Sequence, residues 1–133
     1  MAKMNIPSVK CTIEIFSSVN PTEDPNKVKS AILNIFPDCE ITIEKFSIKG
    51  DSNDLHSLEN IHDTIHTMQS QKIYQRRLEK NLENESTWFY LNKQAAFAKK
   101  IAICEASDES PLGPIKVILT SPKIDSIIDW LVL

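Results

Sequence analysis

Few residues in this chain have the types and spacing to do chemistry. Glu59, His62 and His66 stand at i, i+3 and i+7, so one helical face would carry two imidazoles and a carboxylate, donors that suit zinc. No second cluster of cysteine or histidine supplies further ligands. The pair also sits at the edge of an apolar stripe formed by Leu55, Leu58, Ile61 and Ile65, so the expectation is two amphipathic histidines and no metal. Asp108 and Glu109 could act as acid and base only if burial beside a cleft drove their pKa values apart. Flanked by Ser107 and Ser110, they read as a solvated turn. Gly50 and Gly113 are the only glycines, too few for a phosphate-cradling loop, and G-x-S-x-G is absent. Neither a catalytic apparatus nor a cofactor is implied.

The remaining chemistry is basic. Lys72, Arg76 and Lys80 recur every four residues and would line one side of a helix, with Arg77 beside them and Tyr74, Leu78 and Leu82 opposite. Such a face suits phosphates. The same residues could instead form solvated ion pairs, Arg76 with Glu79 and Lys80 with Glu83. Asn92-Lys93-Gln94 interrupts an apolar stretch from Trp88 to Phe97, where amides and a lysine could meet phosphates, 2′-hydroxyls or base edges; they could also cap the following turn. Lys99-Lys100 follows closely. These nine residues are the candidate RNA contacts. The segment 72–100 carries a net charge of +4 and the remainder −7, giving −3 overall. A chain polarised in this way does not coat nucleic acid indiscriminately.

The elements that must position these residues follow from periodicity. Val9, Cys11, Ile13 and Ile15 alternate with polar residues as a half-buried strand does. Asp24 is placed to cap a helix opened by Pro25, with Val28, Ala31, Ile32 and Ile35 on its buried face and Pro37 ending it. Ile41 and Ile43 begin a second strand whose apolar phase shifts at Phe46 and Ile48, as a bulge or bend near Lys45 would produce. Gly50 to Asp54 reads as a turn, with Ser52 or Asp54 as the next cap. Helical stripes follow at Leu55 to Met68 and at Ile73, Tyr74, Leu78 and Leu82, as two helices or as one continuous through Gln69 to Gln71. Strands at 87–91, 101–104 and 115–119 are joined by a short helical turn or wide loop at 92–97 and a tight connection at 110–114. A last helix buries Ile124, Ile127, Ile128 and Leu131. The order β-α-β-α-α-β-β-β-α points to an α+β fold, a largely antiparallel sheet with helices packed on one face.

At 133 residues the chain is the size of one domain, 1–133, with residues 1–8 expected to be a flexible start. Neither a membrane span nor a secretory signal is expected. Cys11, Cys39 and Cys104 form no C-x-x-C pair, and buried free thiols in a cytoplasmic protein are the expectation.

Five segments carry a resemblance. Pro21-Thr22-Glu23-Asp24, Asn34-Ile35-Phe36-Pro37, Phe89 to Phe97 (FYLNKQAAF), Ser110 to Ile115 (SPLGPI) and Ile128-Asp129-Trp130-Leu131 resemble, in this order, the signature segments of a family of uncharacterised archaeal proteins labelled RNA-binding. The similarity runs from Val9 onward. It implies a fold similar to that of large-subunit ribosomal protein five, which binds 5S ribosomal RNA, and a homodimer. The chain departs from the pattern in its acidic balance and in the Lys99-Lys100 pair. The leading expectation is a non-catalytic accessory protein binding structured RNA; the alternative is a dimeric protein-interaction scaffold. Convergence of Arg76, Lys80, Lys93 and Lys99 on one exposed face would favour RNA, and intermixing with Glu79, Glu83 and Glu85 the scaffold.

Overall fold

The computed structural model describes residues 6–133. Of the expected flexible start, residues 1–5 lie outside the described residues, while Ile6 packs against the core. Strand β1, Thr12–Ser18, buries Ile13 and Ile15 on one side and turns Glu14 and Phe16 to the other. Helix α1, Pro25–Ile35, starts as its sequence dictates: the Asp24 carboxylate accepts the Asn26 N–H at 2.9 Å, and Pro25 occupies a position needing no donor. Val28, Ala31, Ile32 and Ile35 are buried. Each large side chain among them stabilises by about 1.5–3 kcal/mol relative to exposure.

The phase shift after Ile43 is a bend at Lys45–Phe46 that reverses the chain, not a bulge. Strands β2, Glu40–Ile43, and β3, Ser47–Ser52, form a hairpin in which the Glu44 N–H donates to the Ser47 carbonyl at 2.8 Å. The expected turn at 50–54 is likewise corrected, since Gly50 to Ser52 belong to β3. Gly50 pairs with Ile15, and a Cβ there would come within 3.1 Å of Cys39 Sγ, so this glycine serves close packing rather than turning.

Asp54 caps a 3₁₀ turn, Leu55–Leu58, that leads into helix α2, Glu59–Thr67. The chain then reverses at Gln69 (φ 52°) into α3, Gln71–Lys80. Met68, Ile73 and Leu82, expected on apolar stripes, are instead exposed, because the break and the short helices leave them beyond the packed face. Strand β4, Ser86–Leu91, is followed by the short helix α4, Lys93–Phe97, strand β5, Ile103–Cys104, strand β6, Ile115–Thr120, and helix α5, Ile124–Val132.

The observed order is therefore β-α-β-β-α-α-β-α-β-β-α. Six strands form one sheet in the order β2-β3-β1-β6-β4-β5, every neighbouring pair antiparallel. The α+β class and the single helical layer hold: Ile13, Ile15, Ile48, Phe89, Val117 and Leu119 from one sheet face share a core with residues of α1, α2, α3 and α5. Among the described residues no helix is long and apolar enough to cross a membrane.

Candidate nucleic-acid interface

Packing the helices on one face leaves the other face of the sheet open. Strand alternation puts Phe16, Lys49, Trp88, Tyr90, Lys116 and Ile118 there, all half-exposed. Register then decides who meets whom. Phe16 lies opposite Lys49 on one side and Lys116 on the other, and Lys116 lies opposite Tyr90. One row running across four strands thus reads Lys49–Phe16–Lys116–Tyr90. The next row reads Glu40–Asp51–Glu14–Ile118–Trp88, acidic at the β2 end and apolar at the β4 end. Trp88 and Tyr90 pack with ring centroids 4.9 Å apart. Lys49 Nζ lies 5.5 Å from the Phe16 ring centroid and Lys116 Nζ 4.6 Å from that of Trp88, while Glu14 reaches Lys49 at 3.7 Å.

This platform was missed in the sequence reading, although its signal was present. Trp88 and Tyr90 alternate with Thr87, Phe89 and Leu91, so two aromatic residues occupy the phase a one-sided sheet turns to solvent. The adjacency of Phe16 to Lys116, a hundred residues apart in the chain, needs the register.

The nine residues singled out by sequence do not come together. Lys72, Arg76 and Lys80 are exposed on the side of α3 opposite Tyr74 and Leu78, which pack inward; the row therefore points away from the sheet. Neither the Arg76–Glu79 nor the Lys80–Glu83 ion pair forms among the described residues, and Glu79 instead accepts from Gln75 at 3.3 Å. Arg77 is largely covered and lies 3.8 Å from Glu105. Lys99 and Lys100 line a different cleft, with Asn34, Asn60 and Thr64. Asn92 caps α4, its side-chain oxygen accepting the Ala95 N–H at 3.0 Å, and exposed Gln94 donates to the Pro111 carbonyl at 3.3 Å.

Lys93 is a correction. Its side chain is 0% exposed, and its ammonium donates to the carbonyls of Ser18 (2.9 Å) and Leu112 (2.8 Å) and to the Glu23 carboxylate (3.1 and 3.2 Å). The ammonium has only three protons to donate, so nothing remains for a ligand. Burial would raise the Glu23 carboxyl, but hydrogen bonds from Asn20 and Lys93 outweigh it and hold the group below its ordinary range. This ion pair ties the end of β1, the start of α4 and the 110–113 turn together. It positions the sheet's loops and is not a contact surface.

The histidines adopt a structural arrangement. His62 stacks on Trp130 with centroids 4.6 Å apart and lies 4.2 Å from His66. Burial first, and the neighbouring His66 second, lower the pKa of His62 against the opposing pull of Asp63 and Glu59. Among the described residues no group of three or more His, Cys, Asp or Glu side chains could hold a metal ion. Glu109 uses its carboxylate to accept the N–H groups of Glu105 and Ala106, both at 3.0 Å, which closes a turn. All three cysteines are buried and free, and burial pushes the Cys11 and Cys39 thiols up to about 11.

The chain is thus an α+β protein whose antiparallel sheet carries helices on one side and interleaved lysines and aromatic rings on the other. A family model described as RNA binding matches residues 12–121. A UPF0201 protein of Methanothermobacter thermautotrophicus is 39% identical over 119 residues, covering 90% of this chain and 89% of the relative. A UPF0201 protein of Sulfurisphaera tokodaii is 37% identical over 126 residues, covering 92% and 86%. The crystal structure of a UPF0201 protein from Methanococcus jannaschii superposes with a TM-score of 0.79 at 31% identity, covering 92% of this chain and 99% of that one. The chain belongs to this archaeal family.

Proposed function

We propose that the chain binds RNA, without catalysing a reaction, through the open face of its sheet. The observation that carries the reading is the row Lys49–Phe16–Lys116–Tyr90, in which cations and rings alternate on a surface that none of the described helices covers. Lysines supply phosphate contacts and rings supply stacking surfaces, the two components sequence-tolerant RNA binding needs. The description of the family as RNA binding supports the same reading. Lys72, Arg76 and Lys80, on the far side of the helical layer, are at most an auxiliary surface. The proposal does not extend to the ribosome. The buried thiols fit a cytoplasmic site of action.

Titration of labelled RNA with unpaired loops at two salt concentrations tests it. Lys49→Ala/Lys116→Ala should weaken binding and make the salt slope shallower by about 1.4, two contacts' worth at about 0.7 each for unpaired strands. Arg76→Ala/Lys80→Ala should change affinity less. Wild-type affinity at low salt no better than that of an unrelated acidic protein would overturn the proposal. A dimeric interaction module is the second reading, favoured by Ile43 and Phe46, which are 48% and 61% exposed at the β2–β3 hairpin on the sheet edge. Sedimentation of wild type against Ile43→Ser/Phe46→Ser distinguishes it.

A further inference from the structure

We infer that the RNA taken by the open face is an unpaired strand, gripped by an exchange in which lysines leave aromatic rings for phosphates and bases take the vacated rings. The inference rests on the RNA-binding reading above and names its ligand class. In the free protein two rings of this face carry cations, Lys116 over Trp88 at 4.6 Å and Lys49 over Phe16 at 5.5 Å, while none lies over Tyr90. A cation over a ring at a half-exposed site is held weakly. A phosphate oxygen offers the same ammonium a charge-assisted hydrogen bond, a stronger partner. An arriving phosphodiester therefore draws the lysine aside, and the ring it uncovers is open to a base.

Spacing restricts what fits. Phe16 and Tyr90 stand on strands separated by β6, so their backbones are roughly 10 Å apart, twice the interstrand distance. One base cannot reach both rings. One base takes Phe16 as Lys49 leaves it, and the next takes the Trp88–Tyr90 pair, whose rings lie 4.9 Å apart, as Lys116 leaves Trp88 for the phosphate that links the two nucleotides. Paired bases stack on one another and offer no free face, so a duplex cannot use the rings. The surrounding charge confines the strand further. Glu40, Asp51 and Glu14 flank the Lys49 end, and Glu83 and Glu85 share a cleft with Trp88, leaving a lane along the Lys49–Lys116 row. Glu14, 3.7 Å from Lys49, offsets part of that lysine's charge, which makes Lys116 the stronger phosphate contact.

The test compares an oligouridine with a duplex RNA of equal length at low salt, following binding and tryptophan emission together. Trp88→Phe separates the Trp88 signal from that of Trp130. The single strand should bind at least ten-fold more tightly than the duplex and should quench Trp88. Phe16→Leu and Tyr90→Leu, which keep apolar bulk and remove the ring, should each weaken it roughly ten-fold. Lys116→Gln should cost more affinity than Lys49→Gln and should alter Trp88 emission before any RNA is added. Comparison of strand with duplex uses wild-type protein, so it stands even where a variant folds poorly. Equal binding of strand and duplex with Trp88 emission unchanged would overturn the inference and leave RNA binding intact. Binding of neither would overturn both.

Discussion

Replacing Lys93 by methionine keeps the length and bulk of the side chain and deletes its charge. Four contacts are lost, to Ser18, Leu112 and both oxygens of Glu23, at a site where the lysine is 0% and the Glu23 side chain 7% exposed. Stranding one member of a buried ion pair costs about 3–5 kcal/mol. The lower end applies here, because the remaining groups keep other partners. Glu23 still accepts the backbone and side-chain N–H groups of Asn20, both at 2.9 Å, and the Leu112 carbonyl still accepts from Asn20 at 2.8 Å. The expected loss is therefore about 3 kcal/mol, or a fall in Tm of roughly 10 °C for a chain of this size. Urea unfolding of wild type, Lys93→Met, Glu23→Gln and the double variant measures it, and the coupling between the two changes should account for most of the loss. RNA affinity of the folded Lys93→Met protein should match wild type. A stability loss under about 1 kcal/mol, in the range of surface changes, would refute the assignment of Lys93 to the framework. So would a loss of RNA affinity without a loss of stability.

Ile32, fully buried on α1, should cost about 2–5 kcal/mol when truncated to alanine, read as a shift in urea midpoint; a change under about half a kcal/mol would mean that α1 presents another face to the sheet. Stability should also fall as pH drops below ~6.5, because the unfolded chain takes up a proton that His62, packed against Trp130, His66 and Asp63, resists. With the folded pKa depressed, the stability is fully present above the unfolded value and is lost as pH falls toward the folded one. His62→Gln should flatten this dependence, and an unchanged slope in that variant would exclude His62 as its source.

The local rules of the chain are legible in its sequence. Asp24 and Pro25 begin α1 because capping and proline geometry act within a few residues, and Val28 to Ile35 find the core because helical periodicity alone aligns them. The same holds for α5 and for the alternation of β4. Errors arose where a neighbour in space outweighed a neighbour in sequence. Gly50 looked like a turn residue and proved to be a packing residue, because a Cβ there would meet Cys39 Sγ at a tight 3.1 Å. Lys93 looked like a surface cation between two amides. Only the approach of Glu23, Ser18 and Leu112, separated from it by 19 to 75 positions, supplies enough partners to bury a charge. The candidate interface shows the same division. Alternation alone could send Phe16, Trp88, Tyr90 and Lys116 to one sheet face, but their order across that face depends on strand pairing. Pairing is settled by backbone hydrogen bonds between strands distant in the chain and by the burial of the opposite face, both of which exist only once the whole sheet has formed.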